Sequence, residues 1–418
     1  VRDGRRADGD RGETGLHVFV IPSWVGGVSA PLSGIFILEQ AQALARLHPA
    51  WTVTLSAVNH HVLTTRLITI GKLVRGVSQR PWRAGGTEPA GFVHPKRHLF
   101  LRRQTLLSGD VRPFVVAHRR LFEAAARREM PAILHAHVAW PAGAVARELS
   151  REFGIPYIVT EHMSPFPLPA PPFADGAGRA TLTVLEPLEA ADAVVAVSRH
   201  LAAEMRVEGL HRPVEIIPNL VDTTMFHPGP RAPGDRPFVF LTVSRLTEDK
   251  GIGDLLLAVA EFRRTGRDAR FRIAGTGPVG RYRTLAKRLG VADIVSFLGP
   301  MGRSEIAEEF RSAQALVMPA RHESFGVVAI EAMASGIPVL ATRSGGPESV
   351  LTVDTGLLVP AAAPAELAHG MAAMMARYDG FDRSAIVGHC RRHYGAEIVA
   401  GRIAALYREV LGREAGPA

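Results

Sequence analysis

Short apolar runs alternate with helical patterns along nearly the whole chain. HVFVIPS (17–23) is a buried run that ends in a turn, and it predicts a first strand. GIFILEQAQALARL (34–47) has the spacing of an amphipathic helix behind a glycine-containing loop. WTVTLSAV (51–58) predicts a second strand, and AILHAHV (132–138), PYIVTEH (156–162) and DAVVAVS (192–198) predict three more. Strands alternating with helices imply a doubly wound parallel sheet.

The pattern breaks at PGPRAPGDRP (228–237), where four prolines and two glycines fall in ten residues. It then restarts. FVFLTVS (238–244) is a strand and GIGDLLLAVAEFRR (251–264) a helix; FRIAGTGP (271–278) is a strand closing on glycines. IVSFLGP (294–300), ALVMPA (315–320) and PVLAT (338–342) are further strands, with the glycine-capped helix VVAIEAMASG (327–336) among them. EIVAGRIAALYREVL (397–411) is a last amphipathic helix. The expected fold class is therefore α/β, with two Rossmann-like doubly wound parallel-sheet domains facing across a cleft. The expected division is a disordered tail at 1–14, a first domain at 15–229, a second at 230–394 and a terminal helix at 395–412.

Composition narrows the class. At 418 residues the chain exceeds one ordinary core. Its one cysteine, Cys390, allows no intramolecular disulfide, which suits a reducing compartment. No apolar run approaches the roughly 18 residues of a membrane span. The charged, glycine-rich start has no apolar core of a targeting peptide. The expected location is cytoplasmic, with peripheral binding to the inner face of the plasma membrane as an option. Residues 60–130 hold 14 Arg/Lys against 4 Asp/Glu, a local +10 that accounts for the whole net charge of +9. Such a cluster attracts nucleic acid, an anionic membrane or a phosphorylated substrate, or is simply a solvated face. Nucleic acid is disfavoured, since no reader motif accompanies the charge.

Chemistry concentrates in RHESFGVVAIEAMASGIPVLATRSGGPESV (321–350). Glu323 falls in the loop after strand 315–320, and Glu331 about one turn into the following helix. Both are placed to face a ligand at the strand end. Gly326 permits close backbone approach, and a helix N-terminus there favours anionic groups such as a diphosphate. Ser344-Gly345-Gly346 follows the next strand as a second ring of N–H donors.

The uninterrupted string ESFGVVAIEAMASGIPVLA resembles the E-x7-E signature of glycosyltransferase family 4, a group of retaining enzymes with the GT-B fold. LTVSRLTEDKGI (241–252), IAGTGP (273–278), VVAVSRHLAAEM (194–205) and IIPNLVDTTMFHP (216–228) match further family segments in order. IPSWVGGVSAPLSGIFILEQAQAL (21–44) is similar to the first loop and helix of exopolysaccharide- and lipopolysaccharide-type members. The resemblance spans about residues 16 to 411 and is loosest between 60 and 130.

The resemblance implies roles. Arg245 and Lys250 bind the donor diphosphate, and Glu323 contacts the donor sugar near the reacting centre. Glu331 accepts hydrogen bonds from the ribose hydroxyls, which suits a carboxylate facing a vicinal diol. Gly326, Val327 and Gly346 donate backbone N–H groups, with Gly275, Ser324 and Phe325 in the same donor-binding set. Gly34 approaches the diphosphate from the first domain. His162 faces the donor sugar; the plainer reading is a buried, satisfied histidine at a strand end. The catalytic set is thus Glu323, His162, Arg245 and Lys250. Fixed cations stabilise the leaving diphosphate in place of a metal, so neither cofactor nor metal is expected. The terminal helix returns to the first domain.

The acceptor side is less legible. His137 is a candidate lining residue. Arg102 and Arg103, with Arg97 and Leu99–Leu101, form a basic-apolar cluster suited to an anionic membrane or a lipid diphosphate. MSPFPLPAPPFADGAG (163–178) reads as a surface connection or an acceptor gate. His135 and His137 share a strand face, but metal ligation needs more converging ligands. Asp8-Gly9-Asp10 mimics a metal-binding D-x-D by chance, ahead of any strand. The expected partners are a nucleotide-sugar donor and a glycan or lipid-linked acceptor, without nucleic acid. Rival readings are a non-catalytic sugar-nucleotide-binding protein and another GT-B activity such as an epimerase or a phosphorylase.

Overall fold

The computed structural model describes residues 15–24, 34–56, 58–63, 91–93, 98–103, 110–230 and 237–414. The chain forms two compact units. The first comprises 1–160, 182–194 and 404–418, and the second 161–181 and 195–403. The tail at 1–14, the middle of the proline-rich break at 231–236 and most of 64–109 lie outside the described residues.

A seven-stranded sheet runs in the order Phe92–Val93, Thr52–Leu55, His17–Pro22, Ile133–His137, Tyr157–Glu161, Ala193–Ala196, Val214–Ile216. Its central pairings are parallel, with Phe19 opposite both Thr54 and Leu134. Strand His17–Pro22 is buried along its length, as an interior parallel strand covered on both faces must be. The predicted strand 51–58 stops at Leu55. Ser56 explains the stop: its N–H still donates to the Val20 carbonyl at 2.8 Å, but its hydroxyl turns inward to His118 Nδ1 at 2.7 Å. A separate strand, Val58–Leu63, then pairs in parallel with His98–Arg103 in a two-stranded sheet that periodicity did not reveal.

The second sheet has the order Val295–Gly299, Ala269–Ala274, Phe238–Val243, Ala315–Met318, Val339–Arg343, Gly356–Pro360, parallel throughout. Phe240, Phe262 and Phe271 anchor its core. Phe240 stacks on Phe271 at 5.2 Å, and the ring of Phe262 meets both edge-on. Strand Phe238–Val243 is followed in sequence by its neighbour on one side, Ala269–Ala274. The neighbour on the other side is Ala315–Met318. The winding therefore reverses at Phe238–Val243. At such a reversal the outgoing loops diverge and leave a crevice beyond the carboxyl ends of the strands.

The terminal helix runs from Ala396 to Glu414, and its residues from 404 onward count with the first unit. There Tyr407 is fully buried, and its hydroxyl lies 2.6 Å from His135 Nδ1. No helix among the described residues is long and apolar enough to cross a membrane.

Candidate functional site

The loops after Val243 and Met318 are locked together at the reversal in the second sheet. Gly251 has φ +66°, and a Cβ there would sit 1.9 Å from the Pro319 carbonyl oxygen. Only glycine allows that approach. The Arg321 N–H donates to the Asp249 carbonyl at 2.8 Å, and its guanidinium grips Asp254 through two hydrogen bonds of 2.8 and 3.0 Å. Asp254 stands in the first turn of helix Ile252–Arg263, where a carboxylate suits the helix dipole.

This lock sets Lys250 against Glu323. Lys250 Nζ donates to Glu323 Oε2 at 2.8 Å, and each side chain keeps about a fifth of its surface exposed, at 20% and 18%. The pair is sheltered enough for its charges to matter and open enough to meet a ligand. Arg245 stands at the rim, 68% exposed, 3.7 Å from Asp249. Burial would raise the Asp249 carboxyl. The neighbouring Thr247 side chain and the charges of Lys250 and Arg245 outweigh that and hold it below its ordinary range. Arg245 and Lys250 thus bring two cations to this loop, beside Glu248 and Asp249.

The glycine ring differs from the sequence expectation. The Gly346 N–H donates to the Glu323 carbonyl at 2.7 Å, and the Gly345 N–H to Glu348 Oε2 at 3.0 Å. Both donors serve the protein, so they do not form a free second ring for a ligand. The reason is packing. Glu323 and Gly345 pair as a parallel bridge, and a Cβ at Gly346 would lie 2.4 Å from the Phe325 backbone. Phe325 is likewise a core residue, 2% exposed and edge-on to Tyr394 at 5.8 Å. Ser324 and Val327 remain half-buried beside the pair. Gly326 has φ +96° and opens helix Val327–Ala334; the Ala329 N–H donates back to the Gly326 carbonyl at 2.9 Å, while the N–H groups of the first positions precede the helix's own hydrogen bonds. Gly275 has φ +145°. Its N–H bonds the Gly299 carbonyl at 2.8 Å, and a Cβ would sit 1.7 Å from the Ser244 carbonyl oxygen. It holds two strand ends together.

Glu331 does not face open solvent beside Glu323. It is 3% exposed, and its Oε1 is held by Arg303 Nη1. Burial raises its carboxyl above the ordinary range, and Arg303 opposes that rise. The Arg303 guanidinium lies over the Phe226 ring, 4.7 Å from its centre. Sequence spacing missed this arginine because it enters 28 residues upstream, at the start of helix Arg303–Ser312. The Arg321–Asp254 clamp was missed for the same reason. A cavity of about 230 Å³, lined by Arg311, Gln314, Tyr378 and Arg383 among others, opens near the amino-terminal ends of the strands and includes none of these groups.

His162 is buried at 7% exposure, and the loop behind it is organised by Glu161. Glu161 Oε1 accepts the N–H groups of His162 and Met163 at 2.8 and 2.9 Å. In the first unit His137 is 1% exposed and stacks on His135 at 4.4 Å. The two ring nitrogens of His135 lie 2.6 Å from Tyr407 Oη and 2.7 Å from Thr160 Oγ1. No group of three or more potential metal ligands occurs among the described residues. Gly34 has φ +70° and opens helix Ile35–Leu47; a Cβ there would lie 2.6 Å from the Trp24 carbonyl oxygen. Arg102 and Arg103 end strand His98–Arg103, opposite Val62 and Leu63. Arg97 and Asp8–Asp10 lie outside the described residues.

With this geometry in hand, the comparisons are specific. Residues 227–383 match the model for glycosyl transferases group 1, and residues 73–225 match glycosyltransferase family 4. The chain is 31% identical over 312 residues to the D-inositol 3-phosphate glycosyltransferase of Acidothermus cellulolyticus, covering 67% of each chain. Among solved structures it is similar to sucrose-phosphate synthase from Thermosynechococcus elongatus, with a TM-score of 0.73 and 22% identity over 96% of this chain and 100% of that one. It is also similar to Anabaena HepE in complex with UDP and glucose, with a TM-score of 0.67 and 17% identity over 94% of this chain and 100% of that one.

Proposed function

The chain belongs to glycosyltransferase family 4 and has the GT-B fold. From that premise we propose that this glycosyltransferase moves a sugar from a nucleoside-diphosphate donor to a hydroxyl of a glycan or lipid-linked acceptor. Anomeric configuration is retained, and fixed positive charge replaces a metal ion. The observation that carries this reading is the Lys250–Glu323 pair, held at the winding reversal of the second sheet beside the N-terminus of helix Val327–Ala334.

Cleavage of the anomeric C–O bond loads negative charge onto the leaving diphosphate. Lys250 and Arg245 supply two cations for it, and the first-turn N–H groups at Gly326 and Val327 add donors. Interactions that strengthen as that charge develops lower the barrier more than the ground state. Glu323, already oriented by Lys250 and by its own backbone bridge, faces the sugar near the reacting carbon. The acceptor oxygen forms its bond to the anomeric carbon on the face from which the phosphate oxygen departs. That phosphate oxygen takes the acceptor proton, so no separate base is required. His162 lends its backbone carbonyl or ring to the sugar, on a loop stiffened by Glu161. UDP in the HepE complex supports a nucleoside-diphosphate donor, and the inositol phosphate in the relative's name supports a phosphorylated acceptor.

Helix Arg112–Ala126 supports contact with an anionic membrane surface. Arg112, Arg119, Arg120, Arg127 and Arg128 are exposed on and just beyond it, together with Val116 and Met130. A panel of UDP-, GDP- and ADP-sugars tests the reaction. The expected result is a thermal shift with one donor, with slow release of its nucleoside diphosphate that quickens with acceptor. Binding without turnover across plausible acceptors favours the non-catalytic rival, and release of a changed nucleotide sugar favours an epimerase.

A further inference from the structure

Glu331 is an unusual residue to present to a ligand. It is almost wholly buried, and burial disfavours an ionised carboxylate. The surrounding elements supply little compensation. Helix Arg383–Tyr394, packed alongside, contributes Cys390 and Tyr394, both kept neutral by burial, which pushes each to about 12. Its Arg391, Arg392 and His393 are exposed. Strand Val339–Arg343 contributes Arg343, which is exposed, and helix Pro347–Val350 contributes Glu348, whose carboxylate is spent on the Gly345 N–H. The charge that acts on Glu331 is Arg303.

Arg303 is itself held. Its side chain is 11% exposed and lies over the face of Phe226, which is fully buried and edge-on to Phe310 at 5.9 Å. Phe226 is set by a turn in which Asp222 accepts the Thr224 N–H at 2.9 Å on its side chain and the Phe226 N–H at 2.9 Å on its carbonyl. The guanidinium therefore has an aromatic wall on one side and the carboxylate on the other. It engages Oε1, and no hydrogen bond to Oε2 occurs among the described residues.

We propose that Arg303 is a positioning residue for recognition of the donor's ribose: clamped on Phe226, it fixes one oxygen of Glu331 so that the other is presented, ionised, to the vicinal hydroxyls. This rests on the reading that Glu331 meets the ribose. Arg303 does two jobs there. It stops the carboxylate from rotating away, and it keeps the group charged in a setting that would otherwise protonate it.

The test compares UDP, GDP and ADP with their 2′,3′-dideoxy forms by calorimetry, on the full chain and on R303M, R303K and E331Q. In the unchanged protein, loss of both ribose hydroxyls is expected to weaken the nucleotide that binds by about tenfold or more. In R303M that discrimination should fall within about threefold. Binding of the intact nucleotide should also become pH-dependent, recovering as pH rises and the carboxylate of Glu331 ionises. R303K, which keeps the charge but not the planar clamp, should restore the flat pH response and only part of the discrimination. If R303M retains full ribose discrimination, with a flat pH response, the inference is overturned while E331Q still upholds the ribose site. If E331Q itself discriminates like the unchanged protein, the ribose reading beneath it fails, and the inference fails with it.

Discussion

The polar interiors of the two units are built on opposite plans. In the first, buried histidines close on neutral partners. His135 bridges Tyr407 and Thr160, His118 meets Ser56, and His17 meets Thr54 at 2.9 Å and the Glu129 carbonyl at 2.7 Å. Burial pushes His118 and His135 down to about 3, so both are uncharged at neutral pH. The second unit also holds neutral Cys390 and Tyr394, but it adds ions in pairs: Lys250 with Glu323, Arg303 with Glu331 and Arg321 with Asp254. Neutral side chains that satisfy each other consolidate a core at little cost. Buried or half-buried ion pairs lose much of their attraction to desolvation and are weak sources of stability. Three of them near the carboxyl ends of one sheet are better explained by a charged ligand than by folding.

The sharpest way to break this contrast is K250A. If the second unit's charges serve transfer, turnover should drop by about 10²–10³, the scale of removing one preorganised stabilising group, with a small change in melting temperature. A large loss of stability with turnover unchanged would put the pair among structural bonds. E331Q comes next. Donor affinity should fall about tenfold in calorimetry, in keeping with weakened hydrogen bonds to a charged acceptor.

Y407F probes the other side of the comparison. It deprives His135 Nδ1 of its partner and should destabilise the protein by about 1–3 kcal/mol in denaturant titration, with donor affinity untouched. Weaker donor binding in that variant would erase the distinction between the two interiors. A further effect in this unit is a pH slope. His118 and His135 have folded values far below the unfolded 6.5, so the unfolded chain binds more protons between the two. Stability is full above pH 6.5 and declines as pH falls toward 3, by up to about 1.4 kcal/mol per pH unit for each histidine. H135Q should flatten part of that slope in thermal melts at pH 5 to 7.

Most strands of both sheets were readable because parallel strands covered on both faces are apolar runs, and all eight elements read after the break, five strands and three helices, recur within a few residues, whereas Gly356–Pro360 was not read. The paired strands Val58–Leu63 and His98–Arg103 were not readable, since VNHHVL and HLFLRR mix polar or charged residues with apolar ones and lack a clear period. Lys250, Glu323 and Glu331 were legible as residues. Their partners were not. Gly345 and Gly346 looked like free donors because a glycine pair after a strand gives no sign of whether its N–H groups face outward or support the neighbouring loop.

The amino-acid order alone determined two wound sheets, the break between them and the loop that carries the charges, because periodicity and motif are local properties of the chain. Only the tertiary structure decided which cation meets which carboxylate. Lys250 and Glu323 are 73 residues apart and meet because Gly251 admits the Pro319 carbonyl. Arg303 reaches Glu331 because Phe226 gives its guanidinium a face to lie on. Such pairings depend on distances of a few ångströms between segments remote in sequence, and no local pattern encodes them.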